Sequence, residues 1–99
     1  MRIIAFRALR EFIEKPEYAD SEASLRAWYH DAKAAEWKSS NDLKQQYKNA
    51  SIVGEGRGVF NIKGNTYRLV VAIDYDFQVI FIRFIGTHKQ YDKIDVKTI

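Results

Sequence analysis

The sequence predicts an α+β domain in which helices come first and a small antiparallel sheet follows. Apolar residues in the first third recur at helical spacing, whereas those after Gly58 alternate with a period of two. Gly64-Asn65 sits between two alternating runs as a hairpin turn. Two N-terminal helices should pack on the sheet, and a short helix should close the chain.

Each element has its own warrant. Residues 2 to 4 can form a short strand. Phe6, Leu9 and Ile13 follow at helical spacing up to Pro16, which cannot continue a helix, so the first helix is about ten residues long. Asp20 or Ser21 can cap a second helix, whose Leu25, Trp28, Tyr29 and Ala32 form one apolar stripe while Arg26, Asp31 and Lys33 face away. Both stripes are core. Trp37 falls outside them and is a candidate contact for a partner. Ser39, Ser40, Asn41 and Asp42 mark a break, Leu43 to Tyr47 add one helical turn, and Gly54-Glu55-Gly56 form a bend. Val59 to Lys63 and Thr66 to Ile73 then make a hairpin. A third strand spans Phe77 to Ile85, and its apolar content predicts that both its faces are partly covered. Thr87 offers an N-cap with Gln90 at the capping-box position, which sets a last helix through about Ile94.

Ninety-nine residues make one domain, 1–99, with room for a core but not for a separate cofactor domain. A hydrophobic share of 46% excludes a disordered chain. Sixteen basic against thirteen acidic side chains give +3, compatible with an anionic partner without requiring one. No cysteine is present, which removes disulfides, thiolate zinc sites and thiol nucleophiles and fits a reducing compartment. The N-terminal apolar run is broken at Arg7 and Arg10, so it is neither a signal segment nor a membrane span. The expected location is the cytoplasm, with no membrane contact.

Arg68 and Arg83 lie within apolar strands that lead into Thr87-His88-Lys89-Gln90-Tyr91-Asp92-Lys93. A guanidinium in such a strand calls for an anion, and phosphate suits its planar fork. The Gly64-Asn65 turn pairs Lys63 with Thr66 and Asn61 with Arg68, placing Lys63, Asn61 and Arg68 on one face. An even loop before the third strand sets Arg68 directly opposite Arg83, whereas a three-residue loop sends Arg83 to the other face. The even register is taken, because a phosphate between the two forks would relieve their repulsion. His88, Tyr91 and Asp92 share one face of the last helix. Together these groups can run a transesterification at an RNA phosphodiester: one takes the 2′-hydroxyl proton, another protonates the leaving 5′-oxygen, and arginines stabilise the crowded phosphorane. No clustered carboxylates accompany them, which disfavours a metal-dependent nuclease.

The run Val59-Phe60-Asn61-Ile62-Lys63-Gly64-Asn65-Thr66-Tyr67-Arg68-Leu69-Val70, with Ile82-Arg83 and Gly86-Thr87-His88-Lys89-Gln90-Tyr91-Asp92-Lys93-Ile94, closely resembles the HigB family of type II toxin–antitoxin toxins, within the RelE-like superfamily. The helical first half agrees with that family only in length and order. The resemblance implies a RelE-like fold and a ribosome-dependent mRNA endonuclease, an mRNA interferase that enters the A site of the 70S ribosome without cofactor or metal. It also implies a HigA-type helix-turn-helix antitoxin that neutralises the toxin and represses their shared operon. On this chain the family's RNA-site positions fall on Lys63, Arg68, Arg83, His88 and Tyr91, with Lys89 and Asp92 beside them and Asn61 on the Arg68 face. Arg68 and Arg83 are then assigned to phosphate charge, His88 and Tyr91 to proton transfer, and Lys63, Asn61 and Lys89 to RNA binding.

Simpler readings stand beside these. Arg68 alone reads as a surface residue of a one-sided sheet, Arg83 as half of a structural ion pair, and His88 as a solvated helix start. Lys38, Lys44 and Lys48 decorate a solvated face, or meet rRNA phosphates in a ribosome-directed protein. The competing function is a non-catalytic RNA- or ribosome-binding domain.

Overall fold

The chain runs β1 (Arg2–Ile4), α1 (Phe6–Ile13), a 3-10 segment (Pro16–Ser21), α2 (Glu22–Ala34), α3 (Ser40–Gln46), β2 (Ser51–Val53), β3 (Arg57–Ile62), β4 (Tyr67–Asp74), β5 (Val79–Thr87) and α4 (His88–Tyr91). This computed structural model describes residues 1–54 and 56–99; the bend expected at Gly54-Glu55-Gly56 includes Glu55, which lies outside the described residues. The strands form one sheet in the order β1-β5-β4-β3-β2. β3, β4 and β5 are antiparallel as expected; β2, which the sequence did not announce, pairs antiparallel with β3, and β1 adds to the β5 edge in parallel, with Arg2 opposite Val79 and Ile4 opposite Phe81. The long stretch of chain between β1 and β5, which holds three helices and strands β2 to β4, is what makes a parallel pair possible.

One face of the sheet carries the core. Leu69, Val71 and Ile73 of β4, Phe60 and Ile62 of β3 and Ile80 of β5 meet Leu9, Leu25, Trp28 and Leu43 from the helices. Phe60 is the centre of an aromatic group, with Trp28 at 5.4 Å and Tyr47 at 5.2 Å, both edge-on. Burying each such ring contributes about 2 kcal/mol. Trp37 belongs to the same group: it is only 3% exposed and its indole Nε1 donates to Gln46 Oε1 at 3.0 Å. It is therefore a core residue and not a partner contact. At the end of α2 the Met1 ammonium donates to the carbonyl oxygens of Lys33 and Ala35, at 2.7 and 2.8 Å, where the helix dipole favours positive charge.

Some boundaries differ from the sequence expectation. α1 stops at Ile13, before Pro16, and α4 ends at Tyr91, short of Ile94. β5 begins at Val79 because Asp74 Oδ1 accepts the Phe77 N–H at 3.0 Å and Gln78 adopts a left-handed φ of 57°, which turns the chain and leaves Phe77 81% exposed.

The 3-10 segment is the joint between helices and sheet. Asp20 accepts from Lys63 Nζ with one carboxylate oxygen and from the Tyr67 hydroxyl with the other. Tyr18 stacks on Phe12 at 4.3 Å, and its hydroxyl receives Gln90 Nε2 at 3.2 Å. Lys63 and Tyr67 hold the Asp20 carboxyl below its ordinary 3.8, and the bond to Asp20, aided by burial, pushes Tyr67 up to about 12. The contribution from Asp20 is therefore complete above pH 3.8 and is lost as pH falls through its lowered pKa. That from Tyr67 is complete below pH 10.0 and is lost as pH rises toward about 12. Urea midpoints followed from about pH 3 to about pH 11 should drop at both ends. Asp20→Asn should flatten the acid limb, and Tyr67→Phe should flatten the alkaline limb.

Candidate functional site

β3 and β4 pair as the turn predicts, with Asn61 opposite Arg68. Both point to the face away from the core, since Phe60 and Leu69 beside them point inward. Lys63 does not join them. Its φ of 52° is left-handed, which breaks strand alternation at the turn, and its ammonium lies against Asp20 on the helical side. The expectation that Lys63, Asn61 and Arg68 share a face is corrected to Asn61 and Arg68 alone.

The register between β4 and β5 also departs from expectation. Asp74 pairs with Val79, so the intervening loop runs from Tyr75 to Gln78 and is even. A β-bulge then intervenes: Val71 faces Ile82, Val70 faces Phe84, and Arg83 is the extra residue with no partner across the ladder. Arg68 lies opposite Gly86 and not opposite Arg83. Arg83 stays on the Arg68 face, as its guanidinium over the Phe81 ring at 5.3 Å confirms. It sits roughly 10 Å farther along β5 at strand rise. The two arginines do not crowd each other, so their repulsion does not by itself demand a phosphate between them.

Their environments differ. Arg68 is only 9% exposed. Its Nη2 donates to Asn65 Oδ1 at 2.8 Å, and its Nη1 to the main-chain oxygens of Asn65 and Tyr67 at 3.1 and 3.3 Å. Among the described residues no carboxylate lies within salt-bridge distance of Arg68 or Arg83. A guanidinium buried against neutral carbonyls keeps its full charge, at a cost on the order of a few kcal/mol. Arg83 is exposed, contrary to the expectation of a buried strand arginine, because the bulge turns it outward from the ladder.

β5 runs directly into α4, whose start is fixed by the predicted capping box: Thr87 Oγ1 accepts the Gln90 N–H and Gln90 Oε1 accepts the Thr87 N–H. Tyr67 pairs with Thr87, so α4 begins beside the Arg68 end of β4. On α4, His88 Nδ1 lies 3.1 Å from Asp92 Oδ2, and the His88 and Tyr91 rings are 6.4 Å apart. An ionised carboxylate only accepts, so Nδ1 carries the proton and a neutral His88 presents its lone pair at Nε2. Lys89 is exposed on the same short helix. Arg68, Arg83 and Asn61 are thus brought to one face, with His88, Lys89 and Tyr91 at its end, while Lys63 is left outside.

Two further residues enter the site. Asn65 orients the Arg68 fork, and its place as a turn residue gives no hint of that role. Arg57 points to the same face as Arg68, but its Nη2 donates to the Ile99 main-chain oxygen at 2.8 Å, which ties down the segment after α4. Among the described residues no three His, Cys, Asp or Glu side chains group as metal ligands.

Residues 21–94 match the family model described as HigB toxin, the RelE-like toxic component of a toxin–antitoxin system. This chain belongs to the HigB toxin family. HigB relatives include the mRNA interferase toxin HigB of Escherichia coli strain K12 and the mRNA interferase HigB of Shigella flexneri. Each is 29% identical over 94 residues, covering 93% of this chain and 88% of the relative. The HigB match extends into α2, well ahead of the strand motifs that carry the resemblance in sequence.

In this HigB chain Gly86 has no room for a side chain as its neighbours stand. A Cβ there would come within 2.5 Å of Gln90 Oε1 and 2.6 Å of the Phe84 ring. Gly86→Ala should expel Gln90 from the capping box and lower stability by about 1 kcal/mol. Loss of the Thr87 amide's protection from hydrogen exchange would report it directly.

Proposed function

We propose that this protein is an mRNA interferase, an endoribonuclease toxin that cuts mRNA in the A site of the 70S ribosome and so inhibits translation. The observation that carries the reading is Arg68: a buried guanidinium held by Asn65, with no carboxylate in salt-bridge distance among the described residues, in a chain of the HigB family. A structural arginine would be neutralised where it lies, whereas this one keeps its charge for an anion that arrives from outside.

In the proposed reaction the 2′-oxygen attacks the adjacent phosphorus and the bond to the 5′-oxygen breaks, leaving a 2′,3′-cyclic phosphate and a 5′-hydroxyl. His88 Nε2 takes the 2′-hydroxyl proton, with Asp92 holding the ring and stabilising its charged form. The Tyr91 hydroxyl supplies a proton to the departing 5′-oxygen. Arg68 stabilises the charge that builds on the phosphorane, Arg83, roughly 10 Å away along the sheet, holds a neighbouring phosphate, and Asn61 and Lys89 contact the strand. No metal takes part. His88 and Asp92 are about half exposed to water, which leaves much of the alignment to the ribosome, so free RNA should be a poor substrate. The protein acts in the cytoplasm, where a HigA-type helix-turn-helix antitoxin neutralises it. Among the described residues no helix is long and apolar enough to cross a membrane, in keeping with that location.

Primer extension on one defined mRNA, with the purified protein alone and in programmed 70S ribosomes, tests the proposal. Cuts within A-site codons are expected only with ribosomes, and they should persist in a chelator under conditions that keep ribosomes intact. Arg83→Ala and His88→Ala should each slow cleavage by about a hundredfold or more while co-sedimentation with ribosomes changes only a few-fold. Folded protein that binds ribosomes and never cuts would make the chain a binding module instead.

A further inference from the structure

β2 pairs with β3 from Arg57 to Val59, and among the described residues no strand borders the rest of the β3 edge. A groove of about 580 Å³ lies there, between the connector after α3 and the tip of the β3–β4 hairpin. Its polar lining is Gln46, Lys48, Asn49, Asn61 and Asn65, with the ring of Tyr47 as an apolar wall. Among the described residues no carboxylate lines it. The volume falls within the roughly 300–1,000 Å³ of small-molecule sites.

Two of these amides have a fixed orientation. Asn65 Oδ1 is occupied by Arg68 Nη2, and Gln46 Oε1 by the Trp37 indole. Turning either amide over would set donor against donor, so both keep their NH2 groups available. With the Lys48 ammonium these make a donor-rich set. Asn49 and Asn61 have no side-chain partner among the described residues and can donate or accept. Tyr47 is braced by its hydroxyl on Asp31 at 2.8 Å and edge-on against Phe60, so the wall is preformed. The connector is braced too, since Lys44 Nζ donates to the main-chain oxygens of Lys48 and Ala50 at 2.9 and 2.6 Å. Asn65 belongs at once to this groove and to the cradle of Arg68.

We propose that the groove beside the β3 edge binds one nucleotide of the RNA strand, adjacent to the phosphate held at Arg68, and selects its base through Asn49, Asn61 and Asn65. Neutral amides against an aromatic wall suit a base, and the single lysine suits its phosphate. The surplus of donors favours bases that present carbonyl or ring-nitrogen acceptors. An acidic peptide would find one cation there, and a basic one would find no carboxylate. This inference takes its ligand class from the endonuclease reading and adds to it the place where sequence preference arises.

The test has two arms. In the first, uncleavable 2′-O-methyl RNA hexamers of differing base composition are titrated into the full-length protein, and side-chain amide resonances are followed by NMR. Asn49, Asn61 and Asn65 should shift by amounts that depend on the base. In the second, Asn49→Ala and Asn61→Ala are assayed on programmed ribosomes across a set of codons. Discrimination at one nucleotide beside the cut should fall by roughly five- to a hundredfold, with amide spectra confirming that each variant is folded. Groove amides that ignore every hexamer, or discrimination that survives both substitutions while the parent protein cuts, would overturn the groove assignment and leave the endonuclease reading intact. Base-dependent shifts from a protein that never cuts would uphold the groove and remove the endonuclease.

Discussion

Asp20 receives hydrogen bonds from two groups four positions apart on one hairpin, the Lys63 ammonium and the Tyr67 hydroxyl, and so fixes that hairpin on the helices. Tyr67 is the core-side neighbour of Arg68 and pairs with Thr87, which caps α4. Tyr18, two residues before Asp20, holds Gln90 of the same cap. A short 3-10 segment therefore positions the Arg68 end of β4 and the start of α4 together. Neither the hairpin tip nor a four-residue helix would hold its place alone, because each buries too little to offset the entropy of ordering it.

The charge arrangement on the opposite face has a different logic. Lys63 is neutralised by Asp20, Arg7 by Glu11 and Arg26 by Glu22, all at least partly exposed to water. Arg68 is the more buried group and yet, among the described residues, meets amide and carbonyl oxygens alone. These align the fork without cancelling its charge. The chain has thirteen acidic residues, and among the described residues none lies within salt-bridge distance of this cation, an arrangement that costs stability.

Much of this was legible in the sequence because it is local. The Gly64-Asn65 turn fixes the pairing of Asn61 with Arg68, Thr87 and Gln90 form their capping box within a single turn, and the stripe of Leu25, Trp28 and Ala32 faces the sheet. What escaped depends on contacts between distant segments. Lys63 leaves its expected face because Asp20, 43 residues earlier, draws it to the other side. Trp37 joins the core through Gln46 and Phe60, partners that no periodicity links to it. The role of Asn65 is invisible until the Arg68 side chain folds back over the turn.

The bulge at Arg83 shows why counting alternate residues along β5 fails. Before it, Ile80 and Ile82 point to the core; after it, Ile85 does. An uninterrupted strand would send Ile85 outward and bring Phe84 and Gly86 inward. The strand thus joins two frames of alternation at a single residue, and Arg83 and Phe84 look out side by side where one side chain would ordinarily stand. Removing Arg83 would leave a regular ladder with Phe84 and Gly86 still outward, whereas keeping it without the bulge would turn Gly86 and the start of α4 over onto the opposite face. The face on which α4 starts is in that sense written in the bulge at Arg83.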